Sequence, residues 1–222
     1  MLRISIDGAC RRNGKPDCVS SGGVFIQQYD KGIVVATDTR SNYEYKSTNQ
    51  RGELLALLTA LDYVHSSGQD AQIITDSEYI FNAMTKAWYS TWAHNFWKTS
   101  LGEPVKNADI WQEINKAKLS CDFCGVDITF YHIKGHVVPF GKVTAETLLK
   151  RDATGLLLRN AIYQKYDSII STKSDMVDIA QDLSVKNNGF AMSEETLRDF
   201  VVSNIMADAI ATSVVEAADR NK

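Results

Sequence analysis

Alternating apolar and polar residues at the start of the chain predict three β-strands. Residues 2–6 place Leu, Ile and Ile on one side and Arg and Ser on the other, which is the period of a half-buried strand. Residues 23–28 and 33–39 predict two further strands, and the Tyr-Asp-Lys-Gly sequence between them is typical of a hairpin turn. A loop rich in Gly, Asn, Ser and Pro is expected at residues 8–22.

The period changes to that of a helix at residues 48–66, where leucines form one apolar stripe. Gly68 is suited to end this helix as a C-cap. Residues 71–75 predict a short buried strand, and Asp76 and Ser77 can cap the helix that follows it.

The second half of the chain is mainly helical. A helix is predicted at residues 107–119, a strand at 126–132, and helices at 144–165, 174–183 and 193–218. This order predicts an α/β fold, in which a five-stranded mixed sheet, its first three strands antiparallel, is flanked by helices. The 222 residues are expected to form a single domain.

Composition and charge restrict the function only slightly. The hydrophobic content of 44% and the charged content of 23% are those of an ordinary globular protein. With a net charge of −3, any binding of nucleic acid must depend on local positive patches. The chain has no apolar run of about 18 residues, and it begins directly with a strand pattern. We therefore expect no membrane span, no signal peptide and a cytoplasmic protein.

The four cysteines are expected to be free thiols, because a chain of this size needs no disulfide framework. Cys121 and Cys124 have the spacing of half a zinc site or a redox motif, but no second pair accompanies them. We interpret them as thiols in a connection between a helix and a strand.

Three carboxylates lie at or near the ends of apolar segments: Asp7, Glu53 and Asp76. Acids beside core segments are costly unless a cation meets them there. Clustered oxygen ligands suit Mg²⁺ or Mn²⁺, and two such ions commonly catalyse cleavage of a phosphodiester. Taken alone, each acid is better explained by an ordinary structural role, as a turn residue, an exposed helical Glu or an N-cap Asp. Together they indicate an enzyme that cuts nucleic acid.

Five ordered motifs in the chain resemble type I ribonuclease H. They are DGACRRNG, TNQRGEL, TDSEY, PVKNADIW and HIKGH, at residues 7–14, 48–54, 75–79, 104–111 and 132–136. The resemblance covers residues 1–136 and resumes near 204–211. It implies the ribonuclease H fold and hydrolysis of the RNA strand of RNA–DNA hybrids. It also implies two Mg²⁺ ions (or Mn²⁺) and products with 5′-phosphate and 3′-hydroxyl ends.

The resemblance also assigns catalytic residues. It makes Asp7, Glu53 and Asp76 metal ligands and implies a fourth acid on the last helix. Asp208 fits best, because Asn204 and Asp208 keep the family's Asn-x-x-x-Asp spacing. Other candidates for the fourth ligand are Glu146, Asp152 and Asp199.

His136 resembles the family's mobile histidine, which helps proton transfer and product release. An imidazole that titrates near neutral pH suits such a role. The alternative is an ordinary loop histidine.

The resemblance places contacts to the RNA strand at the amide side chains of Asn13, Asn49 and Gln50, with backbone contributions from Cys10 and Gly14. Amides both donate and accept hydrogen bonds, as recognition of a 2′-hydroxyl requires. The alternatives are a turn Asn and a polar pair at a helix start.

Contacts to the DNA strand are expected through its backbone. Lys46, Thr48 and Asn107 resemble the family's phosphate pocket. Residues 88–98, with Trp88 and Lys98, match its substrate handle, where aromatic faces can stack on sugars and cations meet phosphates. The equally weighted alternative is that the tryptophans of this segment pack in the core.

The main departure from the family is a predicted helical insertion at residues 138–202. It is expected beside the active site as a lid or groove extension. The alternatives are an add-on that packs against the sheet and a docking surface for a replication protein. We expect a monomer. Two rival functions also stay open, a nuclease for duplex RNA or structured DNA and a non-catalytic hybrid-binding protein.

Overall fold

A computed structural model describes residues 1–135 and 193–220. In that part of the chain the strands are β1 (Leu2–Arg11), β2 (Val19–Asp30), β3 (Ile33–Tyr45), β4 (Ala71–Thr75) and β5 (Ile128–His132). The helices are α1 (Asn49–Ser67), α2 (Glu78–Thr85), α3 (Trp88–His94), α4 (Ala108–Phe123) and α5 (Glu194–Arg220).

The strands form one sheet in the order β3-β2-β1-β4-β5. β1, β2 and β3 pair antiparallel, whereas β4 pairs parallel with both β1 and β5. The predicted five-stranded mixed α/β fold is therefore confirmed.

The first hairpin is longer than the sequence predicted, and the expected loop at residues 8–22 is wrong. β1 continues to Arg11 and β2 begins at Val19. Pairing passes through Gly8 opposite Gly22 and Asp7 opposite Gly23. Glycines there look like loop residues in sequence, but backbone pairing does not require a side chain. The connecting loop is therefore confined to residues 12–18.

Gly22 and Gly23 allow helices to pack closely on both faces of the sheet. Successive residues of a strand point to opposite faces. A Cβ atom at Gly22 would lie 2.4 Å from the backbone nitrogen of Ala56 in α1. A Cβ atom at Gly23 would lie 2.2 Å from the carbonyl oxygen of Ala207 in α5. The centre of β2 is thus enclosed between α1 and α5.

Helix α1 covers one face with the predicted leucine stripe, since Leu54, Leu57 and Leu61 are fully buried. Its ends also agree with expectation. The Thr48 side chain accepts a hydrogen bond from the Arg51 N–H at the start, and Gly68 adopts a left-handed conformation with φ 62° at the end.

Helix α5 covers the other face. Residues 194–202, predicted to end the insertion, instead form the first turns of this helix. Leu197 and Phe200 in these turns are buried. By length and composition, the segment Glu195–Arg220 could cross a membrane, but most of it is buried against the rest of the protein. Its apolar side is accounted for by packing on the sheet. The remainder of the predicted insertion lies outside the described residues.

Replacing Gly23 with Ala should destabilise the protein, because backbone atoms of α5 occupy the space that the new Cβ needs. We expect the free energy of unfolding in urea to fall by about 1–3 kcal/mol. Ser41→Ala is the matched control, since Ser41 pairs with Gly23 across the sheet and is exposed. Equal stability of the two variants would contradict this packing.

Candidate metal centre and nucleic-acid site

Three elements bring three carboxylates together where β4 ends beside β1. Asp7 lies on β1, and Asp76 directly follows β4. Because Ile6 and Thr75 are partners in the parallel pair, the residues after them emerge side by side. Glu53, on α1, joins them, and one carboxylate oxygen from each acid lies within 4.8 Å of the others.

Glu53 reaches this position because Gly8 has no side chain. A Cβ atom at Gly8 would lie 2.5 Å from the Glu53 backbone nitrogen. The first turns of α1 therefore rest directly on β1, one residue after Asp7. The glycine of the DG motif is thus required by packing.

The three acids are electrostatically unfavourable without a cation. Burial, followed by the negative charges of Asp76, Glu53 and Asp208, raises the pKa of Asp7 well above its usual value. A hydrogen bond of 2.6 Å from the Gly8 N–H to Asp7 Oδ1 opposes this only in part. Burial and the Asp76 charge raise the pKa of Glu53 to about 8.

The acids fit a divalent cation. Glu53 Oε2 is buried and has no hydrogen-bond partner among the described residues. Buried carboxylate oxygens are normally paired, so this oxygen is available as a ligand. Clustered carboxylate oxygens are the ligands that Mg²⁺ and Mn²⁺ prefer.

Asp208 lies near this cluster but is not one of the three acids within 4.8 Å of one another. It is half-buried on α5, its charge raises the pKa of Asp7, and its Oδ1 accepts a 3.4 Å hydrogen bond from Thr212. Asp199, an alternative fourth ligand, instead forms an ion pair with Arg3 and is not brought to the cluster. Glu146 and Asp152 lie outside the described residues.

The segment before His136 passes directly against Asp76. A Cβ atom at Gly135 would lie 2.2 Å from Asp76 Oδ2, so only glycine fits this path without displacement of the carboxylate. A ring nitrogen of His132 lies 3.2 Å from the Asp76 carbonyl oxygen. His136 itself lies outside the described residues, and its assignment stays a prediction.

Asn13, Asn49 and Gln50, predicted to contact the RNA strand, lie together near the start of α1 with Asn107, predicted for the phosphate pocket. Asn13 Oδ1 accepts a 3.4 Å hydrogen bond from the Asn49 N–H. Asn107 Nδ2 donates to Gln50 Oε1 at 3.3 Å. These bonds join the loop after β1, the start of α1 and the start of α4. The four amides form a strip, which we call the amide strip.

The other predicted substrate residues surround the amide strip. Lys46 is exposed, and its backbone N–H donates a hydrogen bond of 2.7 Å to the Cys18 carbonyl oxygen. Gly14 is exposed with φ 79°. The Cys10 sulfur lies 2.7 Å from that of Cys18, and burial together with this contact raises the pKa of Cys10 to about 12. Both are free thiols.

Arg51 organises this region and was missed in the sequence. Its guanidinium forms paired hydrogen bonds with Glu44 on β3, at 2.7 and 2.9 Å, and with Asp109 on α4, at 2.9 and 2.8 Å. Both carboxyls consequently have a lowered pKa. Arg51 is thereby committed to holding α4, and with it Asn107, against α1.

The predicted substrate handle is partly a packing element. Trp92 is half-buried, and its ring centroid lies 5.3 Å from that of the fully buried Trp111. Trp88 is also half-buried, with Lys86 Nζ 5.6 Å from its ring centroid. Lys98 is exposed. Core packing therefore accounts for Trp92, while Trp88 and Lys98 keep surface available for a substrate.

Cys121 and Cys124 are free thiols, one buried and one exposed. In the described ranges, the candidate metal-binding group consists of the three acids alone. The interpretation of the pair as thiols outside a zinc site stays a prediction.

Comparisons with known proteins agree with this architecture. The family model for RNase H matches residues 2–153. A ribonuclease H of Treponema pallidum is 36% identical over 141 residues, which cover 61% of this chain and 80% of that protein. A ribonuclease H of Jannaschia is 34% identical over 144 residues, covering 65% and 85%.

Among solved structures, the fold is similar to that of a foamy viral protease-reverse transcriptase determined in complex with dsDNA. The TM-score is 0.51 at 19% identity, over 63% of this chain and 84% of that chain. At this identity the similarity supports the fold alone.

Metal-free protein should lose stability as the pH rises. The pKa of Glu53 is raised on folding from 4.5 to about 8, so the folded state binds a proton that the unfolded state has released. Its contribution is fully present below pH 4.5 and is lost as the pH passes about 8. Denaturant unfolding at several pH values in a chelator measures this slope.

Two controls separate this effect from general titration. Glu53→Gln should flatten the slope, and added Mg²⁺ should restore the stability of the wild type at high pH. The same slope in wild type and variant would contradict the electrostatic description of the site.

Proposed function

The chain belongs to the ribonuclease H family, and from that premise we propose that it hydrolyses the RNA strand of RNA–DNA hybrids with two divalent metal ions. The observation that supports this proposal most directly is the cluster of Asp7, Glu53 and Asp76. One carboxylate oxygen from each lies within 4.8 Å of the others. These acids, with Asp208 beside them, would hold Mg²⁺ or Mn²⁺. When bound, the ions supply a nucleophile at neutral pH and stabilise charge on the attacking and leaving oxygens.

The residues around the acids orient the substrate. Within the amide strip, Asn13, Asn49 and Gln50 supply donors and acceptors for 2′-hydroxyl groups of the RNA strand, and Asn49 and Gln50 lie on the same helix as Glu53. Thr48, Lys46 and Asn107 supply a hydroxyl, a cation and an amide for one phosphate of the DNA strand. None of these groups reads a base edge, so we propose cleavage without strong base specificity.

His136 follows Gly135, which contacts Asp76, and is proposed to move a proton during product release. Cleavage is proposed to leave 5′-phosphate and 3′-hydroxyl ends. A cytoplasmic location, a monomeric state and a replication-protein contact through the insertion also stay proposals.

Asp76→Asn should abolish cleavage while hybrid binding persists. The amide keeps the shape of the side chain but removes a charge from the metal-binding group. We expect the cleavage rate on a fluorescent RNA–DNA hybrid to fall by roughly a thousandfold or more. Asp127→Asn, an exposed aspartate ahead of β5, is the matched control. Full activity in Asp76→Asn would refute the metal assignment.

Gln50→Ala tests recognition of the RNA strand. Loss of one hydrogen-bonding side chain should lower kcat/KM for the hybrid by about fivefold, since a net hydrogen bond contributes about 1 kcal/mol. Gln112→Ala, at an exposed position on α4, should leave it unchanged.

Substrates with a single 2′-deoxynucleotide in the RNA strand sharpen this test. At the ribose that Gln50 contacts, deoxy substitution should impair the wild type but cause no further loss in Gln50→Ala. Additive losses at every position would show that Gln50 does not recognise a 2′-hydroxyl.

A further inference from the structure

A largely buried polar cluster joins α5 to the sheet near the start of β1, four residues before Asp7. Arg3 forms an ion pair with Asp199, and their side chains are 13% and 12% exposed. The Tyr29 hydroxyl donates to Asp199 Oδ2 at 2.6 Å, and Gln27 Nε2 donates to Asp199 Oδ1 at 3.2 Å. We call Arg3, Gln27, Tyr29 and Asp199 the α5 anchor.

Arg3 connects this anchor to three elements besides its own strand. Its Nε donates to Gln72 on β4 at 3.1 Å, and its Nη1 donates to Tyr29 on β2 at 3.0 Å. Its guanidinium carbon also lies 5.0 Å from the Phe200 ring centroid on α5. The start of α5 is therefore tied to one defined point on the sheet.

The spacing along β1 matches the spacing along α5. Arg3 precedes Asp7 by four residues, which span about 13 Å of strand. Asp199 precedes Asp208 by nine residues, which span about 13.5 Å of helix. A contact that aligns Arg3 with Asp199 therefore brings residue 208 of α5 to the level of Asp7, with the Asp208 side chain about half a turn of the helix away from that of Asp199.

Contacts at the acid end agree with this register. Gly23 is the cross-strand partner of Asp7, and its surface meets the Ala207 carbonyl and the Ala211 nitrogen. These α5 residues have short side chains, which permit close approach, and the main directional contact there is the buried hydrogen bond of 2.6 Å that the Ser21 hydroxyl donates to the Ala211 carbonyl. One such bond leaves the start of α5 to be fixed by the anchor. A slip of one residue would move Asp208 by 1.5 Å and rotate it by about 100°.

We propose that the α5 anchor positions Asp208 as the fourth metal ligand. It does so by setting the register of α5 on β1 from the start of that strand. The proposal rests on the proposed two-metal function. A buried ion pair is often no more stabilising than apolar residues of the same volume, so its directional bonds suit it to fix one register.

The anchor also lies where the chain returns from the undescribed segment. The chain leaves the described part at Gly135, against Asp76, and re-enters it at Ser193, six residues before Asp199.

The test measures Mn²⁺ binding calorimetrically on the full chain without nucleic acid. Asp199→Asn and the milder Tyr29→Phe should each weaken Mn²⁺ binding, with about a tenfold loss for Asp199→Asn. In hybrid cleavage, kcat should fall while KM stays near the wild-type value. Asp122→Asn, an exposed ion-paired aspartate on α4, is the control and should leave Mn²⁺ affinity unchanged.

The decisive comparison repeats Asp199→Asn in an Asp208→Asn background. If the anchor acts through Asp208, the second substitution should cause no further loss of Mn²⁺ affinity. An equal loss in both backgrounds overturns the proposal, and so does unchanged Mn²⁺ affinity in folded Asp199→Asn and Tyr29→Phe. If wild type neither binds Mn²⁺ nor cleaves a hybrid, the proposed function itself fails, which is a distinguishable result.

Discussion

Repulsion among Asp7, Glu53 and Asp76 is the constraint on which the organisation of this protein depends. Their oxygens lie within 4.8 Å of one another, and burial raises the pKa of both Asp7 and Glu53. Each acid lies on or directly after a different element, so none can move away without shifting a strand or a helix. The fold therefore holds three carboxylates in an arrangement that a bound cation would stabilise, which is the preorganisation that the proposed metal-ion catalysis requires.

Such an arrangement requires backbones to approach more closely than side chains normally allow. Gly8 allows the start of α1 to approach β1, and the absence of a side chain at Gly135 allows the backbone there to pass close to Asp76. Gly22 and Gly23 do the same for α1 and α5 over the middle of β2. A glycine at these positions contributes no side-chain packing. Its absence of a Cβ atom instead allows a carboxylate, or the helix that carries it, to take its position.

Local patterns predicted most of the fold, and the errors have a common origin. The leucine stripe placed α1 within a residue of its observed bounds, and the apolar run at residues 71–75 coincides with β4. The predicted length of the first hairpin was wrong because its glycines were interpreted as flexible loop residues. Their role is instead decided by tertiary packing. The order of the motifs predicted that the three acids form one site. The ion-pair partners of Arg51 and Arg3 could not be predicted. Those ion pairs join residues far apart in the chain, and they form only once the sheet exists.

Asp208 shows how far a motif can specify a site. Its spacing from Asn204 places both residues on α5, yet spacing along a helix does not state where that helix lies on a sheet. The short side chains of the alanines that meet Gly23 allow contact without selecting one register. Selection comes from directional contacts, which are the Ser21 hydrogen bond to the Ala211 carbonyl and the Arg3–Asp199 pair with its Tyr29 hydrogen bond. Because helix and strand are stiff over about 13 Å, a contact made at one end can determine the ligand geometry at the other.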